Sequence, residues 1–187
     1  MKLMIASDIH GSALWCQRML KALRKEQADK LLLLGDLLYH GPRNMLPDEY
    51  DPSQVIRILN DVRSRLICVR GNCEAEVDQM VLDFPVMGEM CVLLWEGRVM
   101  YATHGHRHSE ENPPPLAKDD ILLGGHTHVP ACRSHEGFLY LNPGSVSIPK
   151  NGTPHSYAVL EGMEICWKDL ADGREFQRAS LMGWGNF

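Results

Sequence analysis

Five short polar motifs, in fixed order, each close an apolar run: Asp8-Ile9-His10, Gly35-Asp36, Gly71-Asn72, Thr103-His104-Gly105 and Gly125-His126-Thr127-His128. The run from Met1 to Ala6 leads into Asp8, Leu31 to Leu34 into Gly35, Arg65 to Val69 into Arg70-Gly71, and Ile121 to Leu123 into Gly124. Short apolar runs bounded by glycine and polar residues read as buried strands. In open α/β sheets, ligands gather outside the carboxyl ends of the strands. Every motif falls at such an end, so the pattern predicts an α/β fold with one polar site.

The residue types at those ends are selective. Asp8, His10, Asp36, Asn72, His104, His126 and His128 offer only carboxylate oxygen, amide oxygen and imidazole nitrogen. That set suits divalent Mn, Fe, Zn or Ni better than an all-oxygen Ca or Mg cage. Its size predicts two metals per chain, an arrangement used mostly for phosphate-ester chemistry.

A chain of 187 residues makes a single domain, 1–187, the default, and 44% hydrophobic with 23% charged residues is ordinary for a globular protein. The formal net charge of −5 and the lack of a Lys/Arg block argue against sequence-independent binding to nucleic acid or to an anionic membrane. A small phosphorylated molecule remains compatible as partner. No stretch approaches the roughly 18 apolar residues of a membrane span, and the N-terminus lacks the pattern of a signal peptide. The six cysteines are scattered with no Cys-x-x-Cys pair. They read as reduced thiols in a cytoplasmic protein.

Apolar spacing predicts a helix over residues 12–27 with Ser12 as N-cap, and a second over Ser53 to Val62. The Gly- and Pro-rich segment 37–52 between them reads as a long loop. The front half is therefore β-α-β-α-β. Behind it, Met90 to Trp95 and Arg98 to Thr103 read as a hairpin about Glu96-Gly97. Phe138 to Leu141, Ser156 to Glu161 and Glu164 to Asp169 add short strands.

The order Asp-x-His, Gly-Asp, Gly-Asn, His-Gly, Gly-His-x-His resembles the calcineurin-like metallophosphoesterases. Gly71-Asn72-Cys73-Glu74 and Asn142-Pro143-Gly144-Ser145 are similar to their compact bacterial and archaeal phosphodiesterase branch. The resemblance implies a four-layer αββα sandwich of two mainly mixed sheets flanked by helices. It assigns Asp8, His10 and His128 to a first metal, Asn72, His104 and His126 to a second, and Asp36 to both. A carboxylate suits the shared position because it supplies two anionic oxygens, and Asp36 stands alone after its strand. Catalysis is then expected at Asp36, Asn72 and His104 through a hydroxide between the metals, acting on a small organic phosphodiester. Manganese is the metal the resemblance favours. Homo-oligomerisation is likewise only a family expectation.

Many relatives carry histidine where this chain has Cys73, and a thiol is a poorer acid than an imidazolium at neutral pH. That departure fits a phosphodiesterase better than a broad monoesterase. The loop His40-Gly41-Pro42-Arg43-Asn44 follows Asp36 closely, so His40, Arg43, Asn44 and Cys73 are the candidate substrate contacts. His106 and His108 read as solvated loop residues, and Ser145 and Ser147 as structural. Trp167, Phe176, Trp184 and Phe187 are candidates for packing, and residues 183–187 for a frayed tail. Two other readings stay open: a nucleotide pyrophosphatase or phosphomonoesterase of the same fold, and a non-catalytic interaction module.

Overall fold

The computed structural model describes residues 1–182; Trp184 and Phe187 lie outside the described residues. Among the described residues, eleven strands form two sheets. In the first, β1 (Lys2–Ala6), β2 (Lys30–Leu33) and β3 (Leu66–Cys68) run parallel. Beyond β1, the strands β9 (Ser156–Glu161), β10 (Glu164–Asp169) and β11 (Glu175–Ser180) continue the sheet in antiparallel fashion. The second sheet is built from β4 (Met90–Trp95), β5 (Arg98–Thr103), β6 (Asp120–Leu123), β8 (Phe138–Asn142) and β7 (Ala131–Ser134), in that spatial order. Strands β5, β6 and β8 are parallel.

The apolar runs are continuous because their strands are buried on both faces. Leu3 and Ile5 of β1 point between the sheets, where they meet Met100, Ile121, Leu139 and the ring of Trp167. Met4 and Ala6 point the other way, toward α1 (Ala13–Lys25) and α2 (Pro52–Asp61). Ser12 caps α1 by accepting the N–H of Trp15, and Asp51 caps α2 by accepting that of Gln54. Both helices lie where apolar spacing put them. The β4–β5 hairpin turns at Glu96 and Gly97, both with positive φ.

The expected sandwich is thus the architecture, with few helices. Those that reach a core cover the first sheet, whereas the outer face of the second is closed over Leu122 and Tyr140 by Leu116 from the connection before β6. One α-helix and two strands went unread in the sequence, α3 (Glu76–Val81), β7 and β11, as did a 3-10 turn over Arg63–Arg65. The helix buries none of its residues, and the two strands are sheet edges with mixed burial. None carries a strong apolar period.

Candidate metal centre

The five motifs meet at one end of the sandwich, where the carboxyl ends of β1, β2 and β3 face those of β5 and β6. Each turn is sharp. Asp8, His10, Asp36, His126 and His128 all have φ between 48° and 63°, a region uncommon for side chains with a Cβ. Such strain persists where surrounding structure over-determines it, and it concentrates at functional sites. Gly35 and Gly71 let two turns touch: a Cβ on Gly35 would lie 2.4 Å from the Gly71 nitrogen, and one on Gly71 would collide with the Asp36 carboxylate.

Asp8, Asp36, His10, His104 and His128 are buried, while His126 is half-buried and Asn72 stands at the mouth. His10 donates from Nδ1 to the Tyr39 carbonyl at 2.8 Å, His104 to Leu34 at 2.6 Å, and His128 to Ile148 at 2.6 Å. A carbonyl partner requires the proton on Nδ1, so Nε2 is the atom left for a metal or for a second proton. Those three Nε2 atoms point inward. His128 Nε2 lies 3.3 Å from Asp8 Oδ1, and His10 Nε2 lies 3.6 Å from it and 3.4 Å from His128 Nε2. Around His104 Nε2 are Asn72 Oδ1 at 3.0 Å, His126 Nδ1 at 3.2 Å and Asp36 Oδ2 at 3.4 Å.

The carboxylates follow one plan. Asp8 Oδ2 accepts the His126 N–H at 3.2 Å, and its buried Oδ1 has no hydrogen-bond partner. Asp36 Oδ1 accepts the Cys73 N–H at 2.9 Å, while Oδ2 sits between His10 at 3.6 Å and His104 at 3.4 Å. Asp36, read as the shared ligand, turns Oδ2 toward both His10 and His104. An orphaned buried oxygen and converging imidazole Nε2 atoms fit divalent cations. Asp8, His10 and His128, and separately Asp8, Asp36 and His104, each place donor atoms within 4.8 Å of one another.

Burial pushes the Asp8 carboxyl up, but the close approach of His10 and the charges of His104 and His128 outweigh this and hold it below the usual range. Burial would lower His104, yet the Asp36 hydrogen bond and the Asp8 charge raise it to about 9. Burial, with the charge of Asp36, pushes the Cys73 thiol far up. It stays protonated at neutral pH.

Other residues hold the turns. Glu74 is buried and accepts the N–H groups of Asp36, Leu37 and Gly71 at 2.9, 2.7 and 2.5 Å. Ser145 and Ser147 both donate their hydroxyls to the Asp8 carbonyl at 3.1 Å, so their structural role serves the site. Asn142 donates to the Gly125 carbonyl at 2.8 Å and steadies the last motif. Only Glu74 and the Asn142 segment left a sequence signal, inside the quoted motifs.

A cleft of about 350 Å³ opens above the buried groups, lined by Arg43, Asn44, Asn72, Cys73, His126 and Lys150 among others. Lys150 was not foreseen. His40 does not line this cleft; its ring stands edge-on to Tyr39 and Tyr50, and its carbonyl accepts the Asn44 amide. His106, read as solvated, is half-buried with its ring 5.4 Å from that of His104. His108 is half-buried too.

Residues 1–164 match the calcineurin-like phosphoesterase superfamily domain, and the chain belongs to that family. It is 48% identical over 161 residues to phosphodiesterase YfcE of Escherichia coli strain K12, covering 86% of this chain and 88% of that protein. A solved structure of E. coli YfcE, described as a phosphoesterase, superposes with a TM-score of 0.94 at 44% identity over 97% of this chain and all of the other. Zinc-complexed Vps29 of Entamoeba histolytica shares the fold alone, with a TM-score of 0.62 at 20% identity over 97% of this chain and 99% of that one.

Proposed function

We propose that this chain is a metal-dependent phosphodiesterase that hydrolyses a small organic phosphodiester at a binuclear centre. The observation that carries the reading is the convergence of three carbonyl-pinned imidazoles on two carboxylates, with the inward Oδ1 of Asp8 buried and without a hydrogen-bond partner. Asp8, His10 and His128 would hold one ion and Asn72, His104 and His126 the other, with Asp36 serving both. Divalent ions there supply an activated water and neutralise charge on the phosphate. Manganese is preferred over Fe, Zn or Ni on the family resemblance alone. The 48% identity to a protein named phosphodiesterase supports the diester as substrate class.

The chain's own groups do the rest. Arg43 and Lys150 bring two cations to the cleft to orient the phosphate anion. Cys73, held protonated by burial and by Asp36, is neither nucleophile nor good acid, so the leaving alcohol departs with little proton assistance. A cytoplasmic location belongs to the same reading, supported by free cysteines throughout; no helix of the described residues is long and apolar enough to cross a membrane.

Elemental analysis after native purification, with turnover of bis(4-nitrophenyl) phosphate, 4-nitrophenyl phosphate and nucleotides, tests the proposal. About two divalent metals per chain and fastest turnover of the diester are expected. Preference for the monoester or for nucleotides moves the chain to the alternative specificities, and no turnover with metals bound removes the enzymatic reading.

A further inference from the structure

Beside the candidate catalytic cleft lies a second groove of about 460 Å³, within the size range of small-molecule pockets. The two share Arg43 and Asn44 as a common wall. Away from that wall the groove is lined by the apolar Met45, Leu46, Pro47, Ile148 and Pro149, with Asp48, Ser147 and His155 among them. Met45 is 89% and Leu46 62% exposed, large apolar side chains offered to solvent at the rim of a polar site. Isolated exposed apolar residues need no explanation, but these gather on one groove.

Both sides of the groove are tied to the site. Ile148 accepts the Nδ1 proton of His128 with its carbonyl at 2.6 Å, and its N–H donates to Ser145 Oγ at 2.9 Å. Asn44 on the opposite side donates its amide to the His40 carbonyl at 2.8 Å, which closes the 40–44 turn. A phosphate held by Arg43 therefore stands at the junction, and whatever is esterified to it has this groove to enter. The carboxylate within the groove, Asp48, disfavours an anionic group there.

We infer that the groove is a subsite for one ester arm of the substrate, and that this arm is uncharged and apolar, aryl or branched alkyl. The inference rests on the phosphodiesterase reading and names the substrate class within it. Continuity with the catalytic cleft singles out the ester arm as occupant over a second copy of the chain.

Calorimetry on the metal-loaded protein with methylphosphonate and 1-naphthylmethylphosphonate measures the contribution of the arm. Wild-type protein is expected to bind the naphthyl compound about tenfold more tightly, from burial of apolar surface. In Met45→Ser/Leu46→Ser the preference should fall toward unity; both side chains are exposed, so the fold is not at risk. Equal affinities in the wild type, or a preference that survives the double substitution, overturn the subsite. Loss of a wild-type dimer in the same variant, seen by sedimentation without any naphthyl preference, gives the groove to a second copy and also overturns it. Intact preference without turnover of bis(4-nitrophenyl) phosphate keeps the groove as an aryl-phosphate site and removes the diesterase reading instead.

Discussion

Glu74 receives the backbone N–H of Asp36 at 2.9 Å, so a side chain two residues beyond the candidate ligand Asn72 fixes the turn that carries another. The same carboxylate takes the N–H groups of Leu37 and Gly71. One buried group thus locks the ends of β2 and β3 in register, with Asp36 in the left-handed region.

Glu74→Ala should therefore strand three buried donors, each at roughly 1–3 kcal/mol. A fall in Tm together with lowered metal occupancy is expected. Glu74→Gln should recover part of both, because one oxygen can still serve Asp36 and Gly71 while its amide faces the Leu37 N–H. Melting curves and elemental analysis of the two variants check this; unchanged metal content in Glu74→Ala contradicts it.

Asp36→Asn should lose metal and activity together, because Oδ2 lies between His10 and His104 and an amide cannot supply the anionic oxygen both sides need. Chelation of the wild type should abolish turnover, and divalent ions should restore it. Full activity with one tightly bound metal, or with none, rules out the binuclear reading.

What was legible in the sequence was what local pattern encodes. Apolar runs located β1, β2, β3, β5 and β6, and the polar motifs after them were found because a turn at a strand end needs Gly, Asp or Asn whatever its partner. Lys150 escaped because nothing adjacent in sequence brings it to the cleft; the chain returns there after β8. His40 went astray for the opposite reason. It is near Asp36 in sequence, but Gly41 and Pro42 turn the chain so that Arg43 faces the cleft and the His40 ring packs on Tyr50.

The metal-free protein should respond to pH through His104. Burial lowers its proton affinity, but the bond to Asp36 and the Asp8 charge raise it to about 9 from an ordinary 6.5. A raised imidazole stabilises the fold fully below the unfolded value and loses that contribution as pH rises through the folded one. Tm of the metal-free protein should fall between about pH 6.5 and 9. Metal affinity should rise over the same window, since the ion displaces that proton. Melts and metal titrations across this range check both, and His104→Asn should flatten the two trends.

If Cys73 provides no useful proton, rates should fall steeply as the leaving alcohol's pKa rises. Cys73→His should flatten that dependence or widen activity toward monoesters, and Cys73→Ser should keep much of the diester activity. A series of substituted aryl diesters gives the slope. Complete loss in Cys73→Ser with metals still bound would assign the thiol a direct chemical role.

Arg43 lines the cleft while the buried donor groups lie beneath it, so phosphate orientation and metal binding can be separated by substitution. Losing one charge-assisted contact, roughly 1.5–3 kcal/mol, predicts that Arg43→Ala lowers kcat/KM by about one to two orders of magnitude. Metal content should not change. Lys150→Ala should have a smaller effect, because that exposed ammonium is a flexible point charge and cannot form the paired contacts of a guanidinium. Steady-state kinetics on several diesters, with metal analysis of the same samples, decide the matter. Wild-type kinetics in Arg43→Ala would make the 40–44 loop purely structural and leave the phosphate to the metals and the histidines around them.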